Sequence, residues 1–186
     1  NTTTNPSGTF AGAGSVFKLF GGATLLPDGR VYMSPGISTT GRIYDPIANT
    51  LTIPSGTFNT RDISGCVPMK DGRIFLIPGF ATTAYIYNPT TNTTSAVSGT
   101  YPGSYYQAGN GNQPAYISGV TLNDGKIYLV PYSAATARIY NPTTNTTTTP
   151  SGNWGNQTYG WYSDATLTSD GKVFMSPGFN YNAGLY

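Results

Sequence analysis

Leu26–Thr50 reads LPDGRVYMSPGISTTGRIYDPIANT, and it returns in altered form three more times. Lys70–Thr93 is KDGRIFLIPGFATTAYIYNPTTNT, Asn123–Thr146 is NDGKIYLVPYSAATARIYNPTTNT, and Ser169–Tyr186 is SDGKVFMSPGFNYNAGLY. The Asp-Gly pairs begin at positions 28, 71, 124 and 170, giving spacings of 43, 53 and 46 residues. A repeat of that length signals an array of equivalent structural units.

Each unit divides into four predicted strands. Strand A opens with small residues: Gly21-Gly22-Ala23-Thr24, Ser64-Gly65-Cys66-Val67, Ser118-Gly119-Val120-Thr121 and Ser163-Asp164-Ala165-Thr166. The Asp-Gly pair supplies the positive φ that a tight hairpin needs. Strand B (Arg30–Pro35, Arg73–Pro78, Lys126–Pro131, Lys172–Pro177) is rich in β-branched and aromatic residues, as a buried strand requires. Its closing proline has no N–H and ends the ladder. Strand C closes on Ile43-Tyr44, Ile86-Tyr87, Ile139-Tyr140 and Leu185-Tyr186. An Asp/Asn-Pro turn then leads to a Thr-rich strand D.

Asn1–Phe10 (NTTTNPSGTF) aligns with Asn49–Phe58 and Asn145–Trp154, so the N-terminus reads as a strand D without its own A, B and C. The last unit lacks strand D. The two ends are therefore expected to share one blade, which leaves no open sheet edge. The expected fold is an all-β propeller of four four-stranded blades, a single domain over 1–186. Blade 1 covers about 21–58, blade 2 about 64–101, blade 3 about 117–153, and blade 4 about 163–186 plus 1–10. Four units can close within one chain, or two chains can exchange strand D to make eight blades. The small residues of strand A favour the narrow axis of a four-bladed monomer.

The pattern xDG[RK][VI][YF]xxP followed by [IL]Y[DN]PxxNT resembles kelch-type repeats of galactose-oxidase-like propellers. It is more similar still to repeats in virion proteins of tailed phages and in microbial surface proteins. The resemblance implies a propeller in an extracellular or virion-associated setting.

Only 9% of residues are charged and the net charge is +2, which gives no footprint for nucleic acid or an anionic membrane. The single Cys66 cannot form an intrachain disulfide and reads as a small buried residue. There is no histidine, and the seven acids are all aspartates. Four lie in Asp-Gly turns and Asp45 in an Asp-Pro turn, which leaves only Asp62 and Asp164 without a turn role. The histidine-based triads and zinc sites are excluded, and no carboxylate pair is placed for glycoside hydrolysis. The expectation is no enzymatic activity and no cofactor. Asp164 stands where other units carry glycine, and it is a weak candidate for holding a cation at the axis. Asn92, Asn145 and Asn156 match glycosylation acceptors.

Aromatics that recur in every unit (Tyr32, Phe75, Tyr128, Phe174; Tyr44, Tyr87, Tyr140, Tyr186) are expected to pack between blades. The non-repeating ones fall in the D-to-A and B-to-C connections, which strand order places on one face of the ring. That face receives Tyr101, Tyr105, Tyr106, Tyr116, Trp154, Trp161, Phe80, Tyr132 and Tyr181, interleaved with amides such as Asn112 and Gln113. Flat rings among amides suit recognition of a protein surface or a neutral glycan. Tyr105, Tyr106, Trp154, Trp161, Tyr132 and Tyr181 are the expected contact residues. The leading expectation is a binding or structural module of a virion or cell surface. A lectin-like module is the second, and an engineered or excised propeller fragment the third.

Overall fold

A computed structural model describes residues 19–59, 61–107, 111–151, 162–178 and 183–186, with backbone only at 104–107. It is all-β, with four antiparallel blades in a propeller arrangement. Blade 1 is β1 (Phe20–Leu25), β2 (Val31–Pro35), β3 (Arg42–Asp45) and β4 (Thr50–Thr52). Blade 2 is β5 (Ile63–Pro68), β6 (Ile74–Pro78), β7 (Tyr85–Asn88) and β8 (Thr93–Ala96). A hairpin follows, β9 (Ser104–Gln107) with β10 (Gly111–Pro114). Blade 3 is β11 (Tyr116–Thr121), β12 (Ile127–Pro131), β13 (Arg138–Asn141) and β14 (Thr146–Thr148). Blade 4 has three strands among the described residues, β15 (Tyr162–Leu167), β16 (Val173–Pro177) and β17 (Gly184–Leu185). The expected closing strand at 1–10 lies outside the described residues.

The hairpins confirm the turn chemistry. Gly29, Gly72, Gly125 and Gly171 all have φ between +83° and +86°. In blade 1 the Leu26 N–H donates to Arg30 O at 2.7 Å and the Gly29 N–H to Leu26 O at 3.0 Å, enclosing a three-residue loop that ends in the left-handed region. Asp28 accepts from the Arg30 backbone N–H at 3.1 Å and from its guanidinium at 2.6 Å. Each of the other three turns repeats the ion pair, and all four pairs are exposed, so each contributes little to stability.

Every strand A carries an irregularity of register near its start, between Phe20 and Gly22, Ile63 and Gly65, Tyr116 and Ser118, and Tyr162 and Asp164. This corrects one sequence alignment. Asp164 is opposite Ser176 as Gly22 is opposite Ser34, Gly65 opposite Ile77, and Ser118 opposite Val130. Its counterpart in blade 3 is Ser118, not Gly119. The four A strands run side by side around the axis, and small residues let them approach. A Cβ on Gly21 would lie 2.6 Å from the Ser64 backbone.

Blades pack face to face through three apolar clusters. Tyr32 stacks on Tyr87 at 4.9 Å between blades 1 and 2, Phe75 meets Tyr140 at 5.1 Å between blades 2 and 3, and Tyr128 stacks on Tyr186 at 4.8 Å between blades 3 and 4. Period-2 alternation explains the pairing. Strand B and strand C each send one set of side chains forward to the next blade and the other set back to the preceding one.

Polar latches join consecutive blades at the rim. Asn49, Asn92 and Asn145 adopt φ near +50° at the C–D turns. In each turn the strand C tyrosine hydroxyl donates to the asparagine Oδ1: Tyr44 to Asn49 at 3.0 Å, and Tyr87 to Asn92 and Tyr140 to Asn145 at 3.1 Å. The same Oδ1 of Asn92 accepts the Ser55 N–H from blade 1 at 3.0 Å, and that of Asn145 accepts the Ser98 N–H from blade 2 at 3.1 Å. Asn92 and Asn145, read from sequence as glycosylation acceptors, thus have their side chains engaged in the fold. Asn156 lies outside the described residues.

Candidate functional site

The described parts of the D-to-A and B-to-C connections of blades 1 to 3 converge on one face, as strand order requires. There they enclose a cavity of about 350 Å³ lined by residues of blades 1, 2 and 3 and of the β9–β10 hairpin. Ile37, Ile63 and Ile117 form its apolar part, and Arg61, Phe80, Asn112 and Gln113 supply the rest of its chemistry. The Arg61 guanidinium carbon stands 5.7 Å from the centre of the Phe80 ring, a cation–π contact.

Arg61 is held in an uncommon conformation, with φ +68°. A long, non-glycine side chain in the left-handed region costs about 1 kcal/mol or more. The surrounding backbone fixes it there. The Arg61 N–H donates to Gly36 O at 2.7 Å, and Arg61 O accepts from the Phe80 N–H at 3.2 Å. Beside it, Asp62 does have a turn role, since it accepts the Asn59 N–H at 3.0 Å through Oδ2. Its carbonyl also accepts from Gly79 at 2.8 Å. Sequence reading passed over Arg61. It belongs to no repeat position and no motif, although it is one of only nine cations in the chain.

The expected contact residues fall in three groups. Tyr132 is half-buried, its N–H bonded to Ala115 O at 2.9 Å, and burial raises its phenol pKa. Tyr105 and Tyr106 lie on β9, with Tyr106 opposite Asn112 and Tyr105 opposite Gln113 in the hairpin register. That register ties both positions to the strand that lines the cavity. Trp154, Trp161 and Tyr181 lie outside the described residues. Two other rings of the same face are packing residues. Tyr101 and Tyr116 are buried, meet edge to face at 6.3 Å, and use their hydroxyls on Thr147 Oγ1 and Thr136 O.

A second cavity, about 320 Å³, follows the axis between the A strands of all four blades and is walled by Gly22, Gly65, Ser118 and Asp164. Asp164 is exposed there. Its Oδ1 accepts from Ser118 Oγ at 2.5 Å and from the Ala165 N–H at 2.9 Å. No cluster of three or more metal-ligating side chains occurs among the described residues. Cys66, expected to be buried, is half-buried on the same wall. Among the described residues no helix is long and apolar enough to cross a membrane.

No protein-family profile matches this chain, and no curated protein sequence matches it. Solved structures do. The chain resembles virginiamycin B lyase from Staphylococcus aureus with a TM-score of 0.67 and 14% identity, covering 88% of this chain and 50% of that one. It resembles hydrazine synthase of Kuenenia stuttgartiensis with a TM-score of 0.64 and 10% identity, over 92% of this chain and 46% of that one. An auxiliary nutrient binding protein from Bacteroides ovatus matches with a TM-score of 0.59 and 17% identity, over 83% and 44%. The chain thus spans about half the length of each. At such identities the likeness defines the fold class, a β-propeller, and not the activity. It also corrects one expectation. The lack of histidine and of a carboxylate pair was read as excluding catalysis, yet this propeller fold belongs to a lyase, so the architecture does not exclude an enzyme.

Proposed function

We propose that this chain is a ligand-binding propeller whose loop-bearing face takes a small, neutral, polar ligand of sugar size. The observation that carries the reading is Arg61, held at φ +68° in the wall of a 350 Å³ cavity. Backbone strain maintained by neighbouring hydrogen bonds is typical of positions kept for function. The volume falls in the range of small-molecule sites. The cavity is lined by a guanidinium, by two amides and by apolar surface, the kinds of group that meet the hydroxyls and ring faces of a sugar. The fold is shared with a nutrient-binding protein, which accords with binding. Sparse charge and the kelch-like repeat pattern favour an extracellular or virion-surface setting, with a glycan rather than a nucleic acid or a membrane as partner.

The test is an array of neutral mono- and oligosaccharides, followed by calorimetry on Arg61→Gly. Glycine relieves the strain while removing the guanidinium, so Tm should stay level or rise while saccharide binding falls at least tenfold. Absence of any saccharide binding to the wild-type chain, or full binding by Arg61→Gly, refutes the reading.

A further inference from the structure

The four blades are equivalent in sequence but not in burial, and the difference has a direction. At the forward-facing strand B position Tyr32, Phe75 and Tyr128 are at most 1% exposed, whereas Phe174 is 42% exposed. At the forward-facing strand C position Ile43, Ile86 and Ile139 are buried, whereas Leu185 is 62% exposed. The backward-facing set shows the opposite end open. Val173 and Met175 of blade 4 are buried against blade 3, but Val31 and Met33 of blade 1 are only half-buried. Leu167 packs on the cluster between blades 3 and 4, while its counterpart Leu25 is 65% exposed. Both faces of the strand B in blades 2 and 3 are fully covered.

The described apolar clusters are therefore the three that join consecutive blades. The forward face of blade 4 and the backward face of blade 1 carry the exposed counterparts of the residues in these clusters. Each face is built like those that already fit one another. Phe174 stands where Tyr32, Phe75 and Tyr128 stand, and Tyr44 stands where Tyr87, Tyr140 and Tyr186 receive them. The main packing between A strands likewise runs from β1 to β5 to β11 to β15.

We propose that two copies of this chain close into one eight-bladed ring, the forward face of blade 4 in each seating on the backward face of blade 1 in the other. Eight blades around one axis require a turn of about 45° per blade, so each chain must span about 180°, and a twofold axis along the channel then completes the ring at two copies. Phe174 then stacks on the partner's Tyr44, and Leu185 and Leu25 leave water. This surface is independent of the ligand cavity.

The test is the native mass of the full chain by light scattering at micromolar concentration, with the fold followed by circular dichroism. Wild type is expected at twice the 19.6 kDa chain mass. Phe174→Arg and Leu25→Arg each place a charge on an exposed position, so each should fold and run at the single-chain mass. Mixed in equal amounts they should regain paired species, because each retains the face that the other has lost. A wild-type chain that stays single, one that assembles beyond two copies, or arginine variants that keep the doubled mass would each overturn the proposal.

Discussion

Asn92 concentrates two demands in one residue, which makes its contribution measurable piece by piece. Its φ of +50° is costly for any residue with a Cβ, and least so for asparagine and aspartate. Its Oδ1 accepts from the buried Tyr87 hydroxyl at 3.1 Å and from the Ser55 N–H of blade 1 at 3.0 Å. Asn92→Ala loses both bonds, about 1 kcal/mol each, and incurs about 1 kcal/mol of left-handed strain, for a total of about 3 kcal/mol. Asn92→Gly loses the bonds without the strain, about 2 kcal/mol. Asn92→Asp keeps acceptor and conformation and should stay within about 1 kcal/mol of wild type. Urea unfolding at constant m reads the order Asp, Gly, Ala directly. A cycle with Tyr87→Phe should give a coupling of about 1 kcal/mol. Equal effects of Gly and Ala would show that φ is irrelevant, and Asp as harmful as Ala would show that the latch does not depend on the acceptor.

Phe75→Ala should cost about 3–5 kcal/mol and lower Tm by roughly 10 °C, because its ring is fully buried against Tyr140 between blades 2 and 3; a loss below about 1 kcal/mol would refute face-to-face blade packing as the source of stability. The pH profile of Tm should be flat from about pH 5 to 8, since the chain has neither histidine nor glutamate to titrate there. Hydrogen bonds from Arg30 and Lys126 hold Asp28 and Asp124 below the usual 3.8, and one from Lys172 brings Asp170 to about 2. Such depressed groups stabilise above the unfolded value, so Tm should fall only as pH drops below about 4 toward 2. A transition near pH 6–7 in thermal melts would contradict this.

The blade architecture was legible because its signals repeat. An Asp-Gly pair, a proline ending strand B and an Asn-Thr turn at matching offsets leave few folds open. Local irregularity was not legible. The irregular pairing at the start of every strand A recurs identically in all four blades, and it lies ahead of Ser118 and its counterparts. The alignment on Gly119 came from matching glycines, although Ser118 and Asp164 each stand six residues before their Asp-Gly aspartate. Position along the chain also misled for Tyr101 and Tyr116. Both belong to the loop face, but as packing residues: Tyr116 opens β11, and Tyr101 is drawn in by its N–H bond to Thr82 O at 3.0 Å. Arg61 shows the reverse failure. Sequence preferences give no warning of an arginine at positive φ, because tertiary hydrogen bonds rather than local propensity hold it there.

What a repeat cannot express is where the array ends. Identical units carry identical forward and backward faces, so the sequence is the same whether blade 4 meets blade 1 of its own chain or of another. The proposed pairing of two chains rests on exposure, because Phe174 and Leu25 open on opposite ends of the described array. A ring closed by a twofold axis along the channel also fixes the relation of its ligand cavities. In the proposed ring both copies would present their loop faces in the same direction, so two cavities would look out from one side. If the cavity takes a sugar as proposed, a surface that displays many copies of it would be held at two points, and the second engagement would be intramolecular.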